Sequence, residues 1–212
     1  MMFVVAGRAG TTVTDDFNRA DASSLGANYV ALGNSGTGLS IASGRAQAPN
    51  APMNQTILWA NRHTVQPITD DVDVSAVLIT PTVNADIANL YVGLMARCNS
   101  AGTMWTEVLL SSTKLWILTR AGVAGSSTYR GTPGSTGVTI SSPTSVRFTA
   151  VGTLYSVYIN GGTTAIATWN DTGAAVPINS TTRYFGILGS SADAFGSPTR
   201  GYGIDSWTGR DI

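Results

Sequence analysis

Charge is scarce in this 212-residue chain: 11% of positions carry it, against about 25% in a typical soluble domain. Twelve basic residues balance twelve acidic ones. No net field therefore draws a polyanion and no basic cluster marks a membrane surface, so neither nucleic acid nor membrane insertion is expected. Lysine and glutamate occur once each, as Lys114 and Glu107, and Arg and Asp supply the remaining charge. Cys98 is the only cysteine, which excludes an intrachain disulfide and a cysteine-based metal site. Lying in "LYVGLMARCNS", it reads as a half-buried structural thiol. His63 is the only histidine, too few for an imidazole metal centre. No apolar run approaches the roughly 20 residues that cross a bilayer. The apolar patch in "MMFVVAGRAG" has no basic residue before it and is too short for the core of a secretory leader. The expectation is a chain made in the cytoplasm without a signal peptide.

Thr, Ser and Gly make up about a third of the sequence, a balance that disfavours helix and favours strands joined by turns. "DVDVSAVLI" begins in strict alternation, with Asp71 and Asp73 on one face and Val72 and Val74 on the other. "NLYVGLMAR", "KLWILTR", "SVRFTAVG", "LYSVYIN", "RYFGILG" and "GYGIDSW" read similarly, several of them apolar on both faces, as central strands of a two-layer sandwich are. Between them lie "NSGTG", "AGVAGSS", "GTPGSTG" and "NGG", rich in turn residues. In "YINGGTTAIATW", Asn160-Gly161 fits the two central positions of a type I′ hairpin turn. "TVNADIANL" supports one helical turn at most. The pattern predicts one all-β domain of about ten or more strands over residues 15–212. Residues 1–14 form either its first strand or an arm that adds a strand to a neighbouring subunit.

Both ends of the chain then carry a resemblance. "DDFNRADASSLGANYVALG" resembles the opening of concanavalin A-like (laminin-G-like) domains of tailed-phage and bacterial surface proteins, which often read Asp-x-Phe-Asn-Arg-Ala-Asp, then Leu-Gly, then an aromatic. "GYGIDSWTGRDI" is similar to the last strand of that family. The likeness covers about residues 14–212, with Tyr29 standing where the family usually has Trp. It implies a jelly-roll β-sandwich of two antiparallel sheets, with Asp16, Phe17, Asn18, Arg19, Asp21, Asp205 and Trp207 as its structural signature. It also implies a setting: the exterior of a tailed-phage virion, as a minor tail or capsid decoration protein. The implied partners are other virion proteins and further copies of the chain, a homotrimer being the first guess at symmetry. Physically, Phe17, Leu25 and Tyr29 are placed to plug one end of a sandwich. Arg19 is close enough in sequence to pair with Asp15, Asp16 or Asp21. Side-by-side first and last strands would also bring Asp205 or Asp211 to it.

Catalytic signatures are missing. A glycosidase needs two carboxyl groups across the scissile bond, yet Glu107 in "MWTEVLL" has no acidic neighbour along its strand. His63 in "WANRHTV" has no nucleophile motif beside it, and neither a Gly-x-Ser-x-Gly elbow nor a phosphate-binding loop occurs. No catalytic residue is assigned. For binding, Asp70, Asp71 and Asp73 are the candidate Ca²⁺ ligands, related domains sometimes holding that ion; the alternative is a solvated strand face. No other cofactor is implied. Among the aromatics, Trp105 and Trp116 sit between apolar neighbours and read as core. Trp59 and Tyr129, nearer polar loops, are the candidates for stacking on a host surface glycan. The expected function is a non-enzymatic structural virion protein. A carbohydrate-binding module is the alternative, and a glycoside hydrolase comes third.

Overall fold

The computed structural model describes residues 10–32, 37–82, 84–122, 125–131 and 138–212. Sixteen strands are found among them. The first eight are β1 (Thr12–Asp15), β2 (Tyr29–Ala31), β3 (Ser40–Ile41), β4 (Ala46–Gln47), β5 (Gln55–His63), β6 (Val72–Ile79), β7 (Val92–Cys98) and β8 (Trp105–Leu110). The others are β9 (Leu115–Arg120), β10 (Ser127–Arg130), β11 (Thr144–Val151), β12 (Leu154–Ile159), β13 (Ala167–Asn170), β14 (Tyr184–Ala194), β15 (Ser197–Arg200) and β16 (Gly203–Asp211). The helical element among the described residues is a single 3-10 turn, Ser180–Thr182. "TVNADIANL" makes one turn, closed by Leu90 N donating to Asp86 O at 3.0 Å.

Two antiparallel sheets result. The first runs β13-β12-β11-β6-β16-β4-β3, with β1 beside β16; the second runs β10-β9-β8-β7-β14-β5-β2, with β15 beside β14. Alternation decides which side chains meet between them. Val72, Val74, Ala76 and Leu78 of β6 face inward, as do Val146, Phe148 and Ala150 of β11. Opposite them lie Leu94 of β7, Val108 and Leu110 of β8, and Ile187 of β14. Strands apolar on both faces belong to the second sheet. Its outward side holds a separate cluster of Ala60, Met95, Trp105, Leu109, Leu118 and Leu188. The architecture is thus an all-β jelly-roll sandwich, as the strand pattern and the end motifs led one to expect.

The opening motif is a tight internal clamp. Arg19 grips Asp15 with both terminal nitrogens, Nη1 to Oδ1 at 2.7 Å and Nη2 to Oδ2 at 3.0 Å, and Nη2 also donates to Leu25 O at 2.9 Å. The Phe17 amide donates to Asp15 Oδ1 at 2.8 Å and the Tyr29 hydroxyl to Oδ2 at 3.1 Å. These bonds hold Phe17 at φ +52°, a left-handed backbone unusual for a large side chain, with its ring fully buried. Phe17, Leu25 and Tyr29 all enter the inter-sheet core. Asp16 accepts from Asn18 N, and Asp21 from Ser43 N. Asp205 and Asp211 do not reach Arg19. β1 runs antiparallel to β16 with Asp15 opposite Trp207 and Thr12 opposite Arg210, so Asp211 falls at the far end of the pair. There it accepts from Thr11 N at 2.8 Å. Asp205 sits at a register shift between Ile204 and Ser206 and faces Arg45 at 3.6 Å.

Thr12–Asp15 therefore forms a strand on its own domain; residues 1–9 of the expected arm lie outside the described residues, as do parts of the turns at 34–38, 121–127 and 131–137. Asn160 and Gly161 have φ of +51° and +71°, as a type I′ turn requires. They do not close a two-residue hairpin, because β12 and β13 begin to pair only at Val157 and Ala167. Two-residue turns occur instead at Gly152-Thr153 between β11 and β12, where Val151 faces Leu154, and at Phe195-Gly196 between β14 and β15, where Ala194 faces Ser197.

Burial alone would raise the Asp15 pKa, but the hydrogen bonds from Arg19 and Phe17, the Arg19 charge and the Tyr29 hydroxyl outweigh it and hold the carboxyl below 3.8. A lowered carboxyl contributes stability that is fully present above its unfolded pKa and lost as pH falls through the folded one. Arg19→Ala should cost on the order of 2 kcal/mol, and lower the melting temperature by roughly 4–8 °C in a domain of this size. The gap between wild type and Asp15→Asn should shrink as pH is taken below 3.8. Melting curves across pH check both, and an unchanged Arg19→Ala curve would refute the clamp.

Candidate functional site

Glu107 lies on the outward face of the second sheet. Met95 of β7 is opposite it on one side and Leu118 of β9 on the other, with Tyr129 of β10 opposite Leu118. The carboxylate is fully buried. Its Oε2 accepts from Trp105 Nε1 at 2.6 Å, and its Oε1 from Arg120 Nε and Nη2 at 2.9 and 2.7 Å. Acid–base cleavage of a glycosidic bond requires a second carboxyl about 5–10 Å away. Glu107 is the only acidic residue in β2, β5, β7, β8, β9, β10 and β15. Asp193 of β14 sits near the end of its strand, opposite Gln55 and Pro198. The charge of Glu107 is spent on fixing Arg120 and the Trp105 indole.

Beside this buried pair the same face carries a strip of aromatic rings. Tyr129 is 60% exposed. Its ring centre is 6.2 Å from that of half-buried Trp116, which meets Tyr91 edge-on at 5.0 Å. Lys114 Nζ lies 5.8 Å from the centre of the Trp116 ring. Burial raises the Tyr91 pKa, with proximity to Tyr129 adding to it. Of the two aromatics expected to stack on sugar, Tyr129 is thus available. Trp59 is not: it is 7% exposed, points between the sheets, and donates Nε1 to Ser191 Oγ at 2.8 Å. Its neighbours Leu58 and Ala60 belong to the outward cluster, so alternation turns Trp59 inward despite the polar "ANRH" that follows. Trp105 is buried, as expected. Trp116, expected as core, instead sits at the open edge of the outward cluster. Alternation in "KLWILTR" places Lys114, Trp116 and Leu118 on one face, a signal that could have joined Trp116 to Tyr129.

The three candidate Ca²⁺ ligands are drawn to different arginines. Asp70 accepts from Arg183 Nε at 2.7 Å. Asp71 accepts from Gly152 N at 2.7 Å and lies 3.6 Å from buried Arg97. Asp73, opposite Arg210 on β16 and beside Arg147 of β11, is buried beneath both guanidiniums. Neither an open cradle nor a fully solvated strand face describes them, and no group of three ligating side chains occurs among the described residues. Cys98 is fully rather than half buried, and burial pushes its thiol up to about 12. His63 stacks on Trp207 at 5.6 Å, accepts from Val65 N, and is held below its ordinary pKa by burial.

No family model matches the sequence, and no curated protein matches it. Among solved structures the chain is similar to the endo-1,3-β-glucanase from Streptomyces sioyaensis, with a TM-score of 0.55 and 15% identity over all of both chains. It is similar to the metal-free exoplasmic/lumenal domain of VIP36, at 0.54 and 11% over 94% of each chain. A legume lectin-like domain from Entamoeba histolytica gives 0.51 and 12%, covering 87% of this chain and 90% of that one. The VIP36 domain is known with Ca²⁺ and mannose bound as well. At these identities the likeness establishes the fold, a concanavalin A/legume-lectin-like jelly roll shared by lectins and glycosidases.

Removing the Glu107 charge would leave Arg120 without its partner, so Glu107→Gln should cost about 3 kcal/mol and lower the melting temperature by roughly 6–12 °C. An unaltered melting curve would show that the carboxylate is not held structurally. Ca²⁺ at about 1 mM, the weak end of extracellular Ca²⁺ sites, should leave the melting temperature unchanged; a clear rise would mean that these carboxylates leave their arginines for the ion.

Proposed function

We propose that this chain is a non-catalytic carbohydrate-binding module that takes saccharide on the Tyr91–Trp116–Tyr129 strip. The observation that carries this reading is the position of Tyr129. Its ring is mostly exposed at the end of a three-ring strip, while the neighbouring outward side chains of β8, Trp105 and Glu107, are buried. The C–H face of a pyranose is apolar and packs on an aromatic face, and the phenol and ammonium groups at the rim serve the sugar hydroxyls. The lectin-like fold supports the reading, as does the sequestration of Glu107 against hydrolysis. The setting belongs to the same proposal. The opening and closing motifs and the charge-poor, hydroxyl-rich composition suit a displayed virion protein, a minor tail or capsid decoration protein, that meets glycan on a host surface and assembles with its own copies.

A glycan array with the wild-type chain should return a defined set of ligands, and Tyr129→Ala or Trp116→Ala should weaken them about ten-fold. Absence of any retained glycan would defeat the proposal. Release of sugar from a polysaccharide, abolished by Glu107→Gln in a variant that remains folded, would replace it with a hydrolase.

A further inference from the structure

On the outward face of the first sheet, strand register lays side chains in rows across five strands. Thr14 is opposite Thr208, Thr208 opposite Ser75, Ser75 opposite Arg147, and Arg147 opposite Tyr158. The adjacent row sets Arg210 opposite Asp73 and Asp73 opposite Thr149. A groove of about 490 Å³ opens there, walled by Arg147, Arg210, Tyr158 and the turn at Gly161 and Gly162. Two smaller depressions of about 250 and 360 Å³ continue it past Ser206 and Thr208 to Thr14, Asp15 and Asp16, where the lining turns acidic.

The charge in this groove is arranged for an anion. Asp73 is only 3% exposed and accepts from both arginines. Arg147 reaches each of its oxygens through Nε at 3.0 Å, and Arg210 reaches Oδ2 through Nε and Nη2 at 3.0 and 2.6 Å. In the 490 Å³ part of the groove, two guanidinium charges against one carboxylate leave one positive charge in surplus. Both arginine side chains keep much of their surface in solvent, 44% and 49%. Arg147 spends only Nε on Asp73; its Nη1/Nη2 edge, which matches the two oxygens of a carboxylate, carries no hydrogen bond among the described residues. Its guanidinium carbon lies 5.2 Å from the centre of the Tyr158 ring. Asp73 and Tyr158 together hold the fork in place, which reduces the conformational entropy lost when a ligand binds.

The floor of the groove argues for the kind of anion. β12, β11, β6 and β16, which floor the 490 Å³ part of the groove, are each paired on both sides, so that floor offers no strand edge for a peptide to extend. What the floor presents is hydroxyls in register, Thr208 and Ser75 leading to Arg147, with Ser145 exposed beside them. We propose that this groove is a second saccharide site, selective for acidic sugars. The open edge of Arg147 receives the carboxylate of a uronate-type residue, Arg210 supports the charge, and the hydroxyl row meets the ring hydroxyls. The site is on the opposite sheet from the aromatic strip and does not depend on it.

Calorimetric titration with an oligogalacturonide, beside the neutral galactose oligomer of equal length, tests this directly. The acidic oligomer should bind and the neutral one should not, and raising salt from about 50 to 500 mM should weaken binding strongly. Arg147→Gln should weaken it about ten-fold or more, with Arg210 left to pair with Asp73. Ser145→Trp should block the groove while leaving the arginine–aspartate cluster whole, which covers the case of a poorly folded Arg147 variant. Tyr129→Ala should leave this binding unchanged, so failure here is distinct from failure of the aromatic strip. The proposal is overturned if no acidic oligomer binds, if the neutral oligomer binds equally, or if binding survives the Ser145 block. Equal competition by inorganic sulfate or polyglutamate would also overturn it, reducing the groove to a general anion patch.

Discussion

The last strand is the element on which both layers depend. β16 lies in the first sheet with β6 on one side and β1 and β4 on the other, so it joins the two ends of the chain to its middle. Its inward residues set the spacing between the sheets. Trp207 meets the rings of Tyr29, His63 and Phe185 at 6.1, 5.6 and 5.5 Å. Two residues on, a Cβ at Gly209 would come within 2.8 Å of the Phe185 ring, so glycine there lets the aromatic layer close. The Asp15–Arg19 clamp fastens the opening segment against this cluster by fixing Phe17 and Tyr29. Outward, the same strand presents Thr208 and Arg210, and so the core geometry also fixes the register of the groove above it.

Scarcity of charge shapes what each sheet face can do. Buried carboxylates are costly unless paired, and among the described residues two are answered by arginine, Asp73 by Arg147 and Arg210 and Glu107 by Arg120, while buried Asp171 accepts from the Ala175 and Val176 amides. Arginine rather than lysine suits the task, because its fork binds two oxygens at once. The two pairs have opposite consequences. Glu107 is fully buried with Arg120 only 11% exposed beside it, and both its oxygens are taken by Trp105 and Arg120. Asp73 is sealed beneath arginines that themselves stay at the surface, which converts a carboxylate position into a positively charged one.

The fold was largely legible in the sequence. Period-two alternation located β6, β7, β9, β11, β12, β14 and β16, and the strands apolar on both faces proved to belong to the layer covered on its outer side as well. Which of the candidate rings is exposed was half legible. The exposure of Tyr129 followed from its polar surroundings, but the same argument misplaced Trp59, because flanking polarity says where a loop is and not which side of a strand a ring takes. Trp116 was missed as a surface ring since its neighbours in sequence are apolar, although its neighbour in space is Tyr129.

The sequence by itself determined the class of structure, the absence of an intrachain disulfide, and a local arginine–carboxylate clamp at Arg19 that the structure assigns to Asp15, because these rest on composition, local alternation and residues a few positions apart. The tertiary structure decided everything that depends on which strands lie side by side. Asp73 finds Arg147 and Arg210 across 74 and 137 residues, Glu107 and Arg120 meet across a hairpin, and Asp205 turns to Arg45 and not to Arg19. Alternation tells which face a side chain occupies, but the order of strands in a sheet is set by the packing of two whole layers. A single chain of letters carries no local mark of that order.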